Sequence, residues 1–405
     1  MRKILHSDIN NFYASVECFL HPELRNEAVA VVGDAEKRKG IVLAKNMLAK
    51  RMGVKTGETI WLATQKCPAL VTINAHFDEY LRFSRLAKQI YERYSDRVEP
   101  FGLDEAWIDV SSDKREGKEI ADEIRKVIFE ELGITASVGV SFNKIFAKLG
   151  SDMKKPDATT VISVENFKQK VWPLPVNELL YVGRQTSAKL ERRSILTIGD
   201  LAKANPEYLS SFLGKWGYTL NQFANGLEAA PVRLASKKDD LKSVSNSTTA
   251  PRDLINQEDV KMTVYTLCES VAERLRCIGK KCTVVRLFVR DSELFTRERQ
   301  KTICATSVSG DIAKAAMELF CESFKGTTVR ALGVCAAGLI RQCDIMRSLF
   351  EEEEFQKESL EHAIDDIRRR FGQKAVFRSL MLMDKELFKL NPIDDHTIHP
   401  VSYFR

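Results

Sequence analysis

The segment Phe101-Gly102-Leu103-Asp104-Glu105-Ala106-Trp107-Ile108-Asp109-Val110 is apolar enough for a buried hairpin, yet two carboxylates stand side by side inside it. In a regular strand, neighbouring side chains point to opposite faces, so Asp104 and Glu105 converge only at a hairpin tip or bulge. A third carboxylate, Asp8, ends the apolar strand expected over 3–9. Like charges held close are unfavourable unless a cation lies between them. Hard divalent cations such as Mg²⁺ take a few carboxylates together with substrate phosphates. A strand-end aspartate facing a hairpin Asp-Glu pair is therefore a candidate two-metal site for phosphoryl transfer. The alternative is a surface turn, where acidic residues are common.

The chain of 405 residues is long enough for about two to four domains of about 100–200 residues each. Its hydrophobic fraction of 44% excludes a largely disordered protein. No apolar run approaches the ~18–20 residues of a spanning helix, so no membrane partner is expected. Only Ile4 and Leu5 follow the basic Arg2-Lys3 before His6-Ser7-Asp8, which is not a signal-peptide core. Nine scattered cysteines, never spaced C-x-x-C, suit reduced thiols and a cytoplasmic location. The net charge of +6 permits a nucleic-acid partner without requiring one, and a monomer is expected.

Residues 1–165 alternate between strand and helix patterns. Strands are expected over 3–9, 28–33, 101–110, 135–140 and 159–162, and helices over 11–20, 44–52, 118–132 and 143–153; residues 78–97 show helical apolar spacing. A sheet with helices on one face is the expected architecture. Residues 167–235 read as short helices throughout, Ser236–Arg252 as a polar linker and 253–341 as a return to α/β. A polar helix to Phe371 and a mobile tail are expected to follow.

Two further groups are candidates for chemistry. Lys144, Lys148 and Lys155 fall on one helical face at spacings of 4 and 7, where they would bind a triphosphate or a DNA backbone, or simply form a solvated face. Lys45, Lys50 and Arg51 raise the same question. Phe12 and Tyr13, about one turn past Asp8, are either ordinary core or a floor for a nucleotide sugar.

In order along the chain, Asp8-Ile9-Asn10-Asn11-Phe12-Tyr13-Ala14-Ser15-Val16-Glu17, then Phe101–Asp109, then Ser137-Val138-Gly139-Val140-Ser141-Phe142-Asn143-Lys144 through Lys155-Pro156 resemble the motifs of the Y-family (translesion) DNA polymerases, in the bacterial DNA polymerase IV-like branch. The resemblance runs over residues 1–341. It implies an α+β multidomain right-hand polymerase with a ferredoxin-like palm (1–10 and 76–166), small fingers (11–75) and a helical helix-hairpin-helix thumb (167–235). A linker (236–241), an α/β little finger (242–341) and a C-terminal tail (342–405) would follow. It also implies low-fidelity, template-directed addition of dNTPs to a primer 3′-hydroxyl, in translesion synthesis.

By the same resemblance, Asp8, Asp104 and Glu105, with the Ile9 carbonyl, would hold two Mg²⁺ ions. Tyr13 falls at the steric gate. Asn11 and Phe12 would offer backbone amides to the triphosphate, and Lys50 and Lys155 would contact its phosphates. Primer–template DNA would meet Lys144 and Lys148, the thumb turns at Gly183 and Gly214, and Lys242, Arg286, Arg290 and Arg330 on the little finger. Met346-Arg347-Ser348-Leu349-Phe350 resembles the family's sliding-clamp motif, with Met346, Leu349 and Phe350 as the docking residues. Asn10 stands where the family usually has a second Asp, and Met47 and Lys50 where many relatives carry Tyr and Arg; Lys offers a point charge instead of a bidentate fork. A non-catalytic DNA- or clamp-binding accessory and a nucleotide cyclase are the competing readings. The intact carboxylates speak against the first, and the helical segment with the basic C-terminal region against the second.

Overall fold

A computed structural model describes residues 2–34, 40–237, 240–324, 326–344 and 352–391. The chain divides into two units, with Met1–Gly33 and Ile41–Lys238 making up the bulk of the first and Asp239–Thr397 the bulk of the second. The strands of the first unit are β1 (Ile4–Ile9), β2 (Val29–Val32), β3 (Val42–Lys45), β4 (Val71–Asn74), β5 (Val98–Pro100), β6 (Glu105–Asp109), β7 (Ala136–Ser141) and β8 (Thr159–Ile162). The order β5-β6-β1-β7-β8 forms a five-stranded sheet, antiparallel except for the β7–β8 pair. β1 is its central strand and is buried along its whole length. A separate three-stranded sheet has the order β3-β2-β4. The basic helix expected over 44–52 shortens to Met47–Arg51, because β3 pairs with β2 and the Asn46 side chain caps the helix at the Ala49 amide.

The two faces of the five-stranded sheet differ in chemistry. Leu5, Ile9, Ala106, Ile108, Val138 and Val140 pack with residues of the helices Phe77–Glu92 and Gly117–Leu132. On the other face, His6 lies in register with Trp107 and Gly139, and Asp8 with Glu105 and Ser137. The helix Lys144–Met153 covers this second face, so the sheet carries helices on both sides, not on one as the sequence pattern suggests. Gly139 explains the difference. A Cβ there would lie 1.9 Å from the Ala147 carbonyl oxygen and 2.5 Å from the Ser151 nitrogen, so only glycine lets this helix come down onto the strand.

Residues 167–224 form five short helices, Phe167–Val171, Arg184–Glu191, Ile198–Lys203, Pro206–Leu213 and Lys215–Ala224, around Leu190, Leu201, Leu209 and Leu220. The helical pattern expected to continue to 235 stops at Ala224. The chain then runs back along the sheet edge, where the Ala235 amide donates to the Asp96 carbonyl at 2.9 Å.

The second unit is an antiparallel sheet of β9 (Ser243–Leu254), β10 (Lys280–Asp291), β11 (Thr296–Thr306) and β12 (Val329–Arg341) in the order β11-β10-β12-β9. The helices Gln257–Cys277 and Ser309–Ser323 pack on one face through Leu267, Val271, Leu275 and Phe320. The polar stretch read as a linker is β9 from Ser243 onward. Its Ser and Thr residues leave only Val244, Ala250 and Leu254 to mark the buried side. The polar helix expected to Phe371 is present as Glu352–Phe371, and the expected mobile tail after it is instead docked over 372–391. The helix Glu352–Phe371 is tied down by Arg276, which pairs with Asp365 at 2.6 Å and Glu361 at 2.9 Å, and Met381 and Leu387 enter the core.

Gly139→Ala is expected to destabilise the first unit by about 3 kcal/mol or more, since the clash is with backbone that cannot step aside. Thermal unfolding checks this: an unchanged Tm would mean that the helix Lys144–Met153 does not depend on the close approach.

Candidate active site

The β1–β6 register sets Asp8 opposite Glu105, and the Ile9 amide donates to the Asp104 carbonyl at 3.0 Å. All three carboxylates therefore gather at one end of the central strand pair. The helix Lys144–Met153 lowers Lys148 among them. Its Nζ lies 3.1 Å from Asp8 Oδ2, 3.0 Å from Glu105 Oε1 and 3.1 Å from Asp152 Oδ2. Lys155 Nζ adds a contact to Asp8 Oδ2 at 2.8 Å and one to Asp152 Oδ1 at 2.9 Å. The lysine row is thus turned inward onto carboxylates and is not a solvated face. Lys144 completes the pattern, gripping both oxygens of Glu99 at 2.8 Å and lying over the Trp107 ring at 4.6 Å.

The charges are unevenly satisfied. Burial, then the nearby Glu105 and Asp8, push the Asp104 carboxyl up to about 7. Burial also raises Asp8, with Lys148 pulling against it. Burial opposes ionisation of Glu105 as well, but the adjacent His6 ring and the Lys148 charge prevail and hold it below the usual carboxylate range. His6 is fully buried, with Nε2 3.5 Å from Glu105 Oε2 and Nδ1 2.9 Å from Ser151 Oγ.

Several supporting residues were missed at the sequence level. His6 stands two residues before Asp8 and so on the same strand face, a signal that period-2 reasoning could have used. Beneath the hairpin, the helix Phe77–Glu92 presents Ser84, Lys88 and Tyr91. Ser84 Oγ donates to the Leu103 carbonyl, Lys88 Nζ to the Gly102 carbonyl at 3.1 Å and to Ser84 Oγ at 2.9 Å, and Tyr91 Oη to Ser7 Oγ at 3.0 Å. Burial depresses Lys88 to about 7. Asn10, buried at the end of the strand, donates to Ser137 Oγ at 3.0 Å and accepts from the Asp157 amide at 2.8 Å. It acts there as a tie between chain segments.

Asn11 adopts a left-handed conformation (φ 49°) and starts the helix Phe12–Leu20 without a side-chain cap, which leaves the first-turn amides to an outside acceptor. Tyr13 on that turn is half-buried, and burial together with Asp104 pushes its phenol up to about 12. Lys50 is exposed on the helix Met47–Arg51, and its charge, after burial, lowers the pKa of Lys45, so the two form a basic pair.

The donor chemistry fits a hard divalent cation: carboxylate oxygens only, one carboxyl driven toward neutrality by burial and then by its neighbours, and Glu105 Oε2 without a hydrogen-bond partner. Among the described residues, no three His, Cys, Asp or Glu side chains are already gathered at metal-binding spacing. Lys148 bridges Asp8 and Glu105, and Lys155 pairs with Asp8.

The impB/mucB/samB family matches residues 7–152, and its C-terminal domain matches residues 241–349. DNA polymerase IV of Acetivibrio thermocellus is 52% identical over 397 residues, covering 96% of this chain and 100% of that protein. DNA polymerase IV of Clostridium acetobutylicum is 34% identical over 393 residues, with 95% and 99% covered. Among solved structures, a Y-family DNA polymerase chimera superposes with a TM-score of 0.75 at 22% identity, over 84% of this chain and 99% of that one. The chain belongs to the Y-family of DNA polymerases. It is accordingly a DNA-directed DNA polymerase, and no described helix is long and apolar enough to cross a membrane.

The remaining residues singled out by resemblance to the Y-family fall in different places. Gly183 and Gly214 are exposed and open the helices Arg184–Glu191 and Lys215–Ala224, again without side-chain caps. In the second unit, Arg286 and Arg290 project from the sheet face opposite the helices, as the buried Val285, Leu287 and Val289 alternate with them. Arg286 is partly engaged by Glu298 at 2.8 Å. Arg330 sits where the β12–β9 and β10–β12 registers shift, so strand alternation does not assign it to that open face. Lys242 is exposed just before β9. Met346, Leu349 and Phe350 lie outside the described residues.

The fold favours the protonated form of Asp104, whose value is raised from 3.8 to about 7; that contribution is complete below the lower value and is lost as pH rises through the upper one. In metal-free buffer, Asp104→Asn is therefore expected to match wild type near pH 4 and to exceed it above pH 7, by about 5 °C in Tm. Adding Mg²⁺ is expected to narrow the gap. A constant offset across pH would contradict the assignment of the strained carboxyl to Asp104.

Proposed function

We propose that the chain extends a primer 3′-hydroxyl with dNTPs on a DNA template through two Mg²⁺ ions, at low fidelity and in tolerance of damaged template. The observation that carries this reading is the convergence of Asp8, Asp104 and Glu105 on one strand pair, with Lys148 and Lys155 beside them. Asp8, Asp104 and Glu105, with the Ile9 carbonyl, would hold the ions. When bound, these activate the primer hydroxyl and offset charge on the triphosphate. The chain's own contribution is position and charge. The uncapped amides of the Phe12–Leu20 helix donate to phosphate oxygens, Lys155 and Lys50 pair with the triphosphate, and the Tyr13 ring meets a ribose 2′-hydroxyl. Lys148 keeps the carboxylates together when no cation is bound.

In this reading, residues 1–10 and 76–166 are the palm, 11–75 the fingers, 167–235 the thumb and 242–341 the little finger. The Gly183 and Gly214 turns offer helix N-termini to DNA phosphates, and the open face of the β9–β12 sheet follows the backbone with Arg286 and Arg290. Lys144, held by Glu99, shapes the site beside Lys148. Clamp docking through Met346, Leu349 and Phe350 rests on the sequence motif, and damage tolerance on family membership.

Asp104→Ala/Glu105→Ala is expected to abolish primer extension, by about 10³-fold or more, while primer–template binding persists; extension that survives would refute the metal site. Tyr13→Ala is expected to admit ribonucleotides with deoxynucleotide extension retained, and unchanged sugar selection would remove it as the gate. Arg286→Ala/Arg290→Ala is expected to lower the slope of log K against log salt by about 2. An unchanged slope would take the open sheet face off the DNA path.

A further inference from the structure

Tyr13 and Glu17 are one helical turn apart and share a face of the helix Phe12–Leu20. The Tyr13 ring stacks on Tyr80 with centroids 4.3 Å apart and planes at 12°. Phe77 closes the side of the stack, edge-on to Tyr13 at 5.9 Å and to Tyr80 at 5.8 Å. Tyr80 and Glu17 are both fully buried, and Tyr80 Oη donates to Glu17 Oε1. His76 Nδ1 lies 2.9 Å from the same oxygen, while Glu17 Oε2 has no hydrogen-bond partner.

A buried carboxylate is costly, and packing alone would be served by an apolar side chain. What Glu17 adds is direction: its oxygen fixes the tip of Tyr80, and with it the plane on which the half-exposed Tyr13 ring rests. Offset stacking on its own leaves a ring free to slide. Telling a 2′-hydroxyl from a hydrogen depends on ring placement to a fraction of an ångström.

We propose that Glu17 and Tyr80 are positioning residues for sugar selection, holding the Tyr13 ring at the height at which it rejects a ribonucleotide. This rests on the reading of Tyr13 as the gate.

The test is the ratio of kcat/KM for a dNTP to that for the matching rNTP in primer extension. Tyr80→Phe, which keeps the ring and loses the hydroxyl, and Glu17→Leu, which removes the acceptor, are each expected to lower the ratio about tenfold. Glu17→Gln keeps an acceptor oxygen and is expected to restore it to near the wild-type value. A purely structural role would depress both substrates together and leave the ratio unchanged, and that result would overturn the proposal. Should Glu17→Leu fail to fold, Tyr80→Phe decides the question. Tyr13→Ala separates the two failures. A ratio lost there but kept in Tyr80→Phe removes the positioning role alone; a ratio kept in Tyr13→Ala removes the gate and the positioning role together.

Discussion

Two carboxylates about 4 Å apart repel by about 4 kcal/mol at the effective dielectric of a protein surface, and the cost rises as water is withdrawn. The β1–β6 register imposes a repulsion of this kind here, because Asp8 and Glu105 are strand partners and Asp104 precedes Glu105 at the hairpin. Lys148 makes the arrangement tolerable. It can reach the cluster only because Gly139 has no side chain, which lets the helix Lys144–Met153 lie against the strands. Compensation is incomplete, since Asp104 remains pushed up to about 7. A site left short of positive charge in this way is what the proposed metal reading requires.

The same economy appears beneath the site. Tyr80, Ser84, Lys88 and Tyr91 follow one another at spacings of four, four and three along the helix Phe77–Glu92, and so share a face. Tyr80 supports the Tyr13 ring, Ser84 and Lys88 hold the carbonyls just ahead of Asp104, and Tyr91 reaches Ser7 beside Asp8. One straight element thereby fixes the Tyr13 ring and the carboxylate hairpin in a common frame. Precision between distant parts of a reacting complex is more readily kept on one helix than across loops.

The carboxylates were legible in the sequence because they violate their surroundings: Asp8, Asp104 and Glu105 interrupt apolar runs that would otherwise be unremarked core. Most strands and helices of residues 1–165 were legible from periodicity for a similar reason, since burial on one face leaves a regular mark. Lys88 was invisible because a lysine on an amphipathic helix looks like a solvent-facing residue, and only the Ser84 hydroxyl and the Gly102 carbonyl beside it show otherwise. The partners of Lys144 and Lys148 were hidden likewise. Helical spacing grouped the lysines, but the carboxylates facing them come from strands far away in the chain. β9 and the docked segment 372–391 were misread because their stabilising side chains are Ser, Thr and ion-paired Arg and Asp, whose composition resembles that of a linker.

The most direct measurement is a crystal structure of the protein with primer–template DNA, a non-hydrolysable dNTP and Ca²⁺ in place of Mg²⁺. Cation density ligated by Asp8, Asp104 and Glu105 is expected, with Lys155 moved from Asp8 onto the triphosphate. Cations bound elsewhere, with Lys148 and Lys155 still occupying Asp8 and Glu105, would contradict the metal assignment.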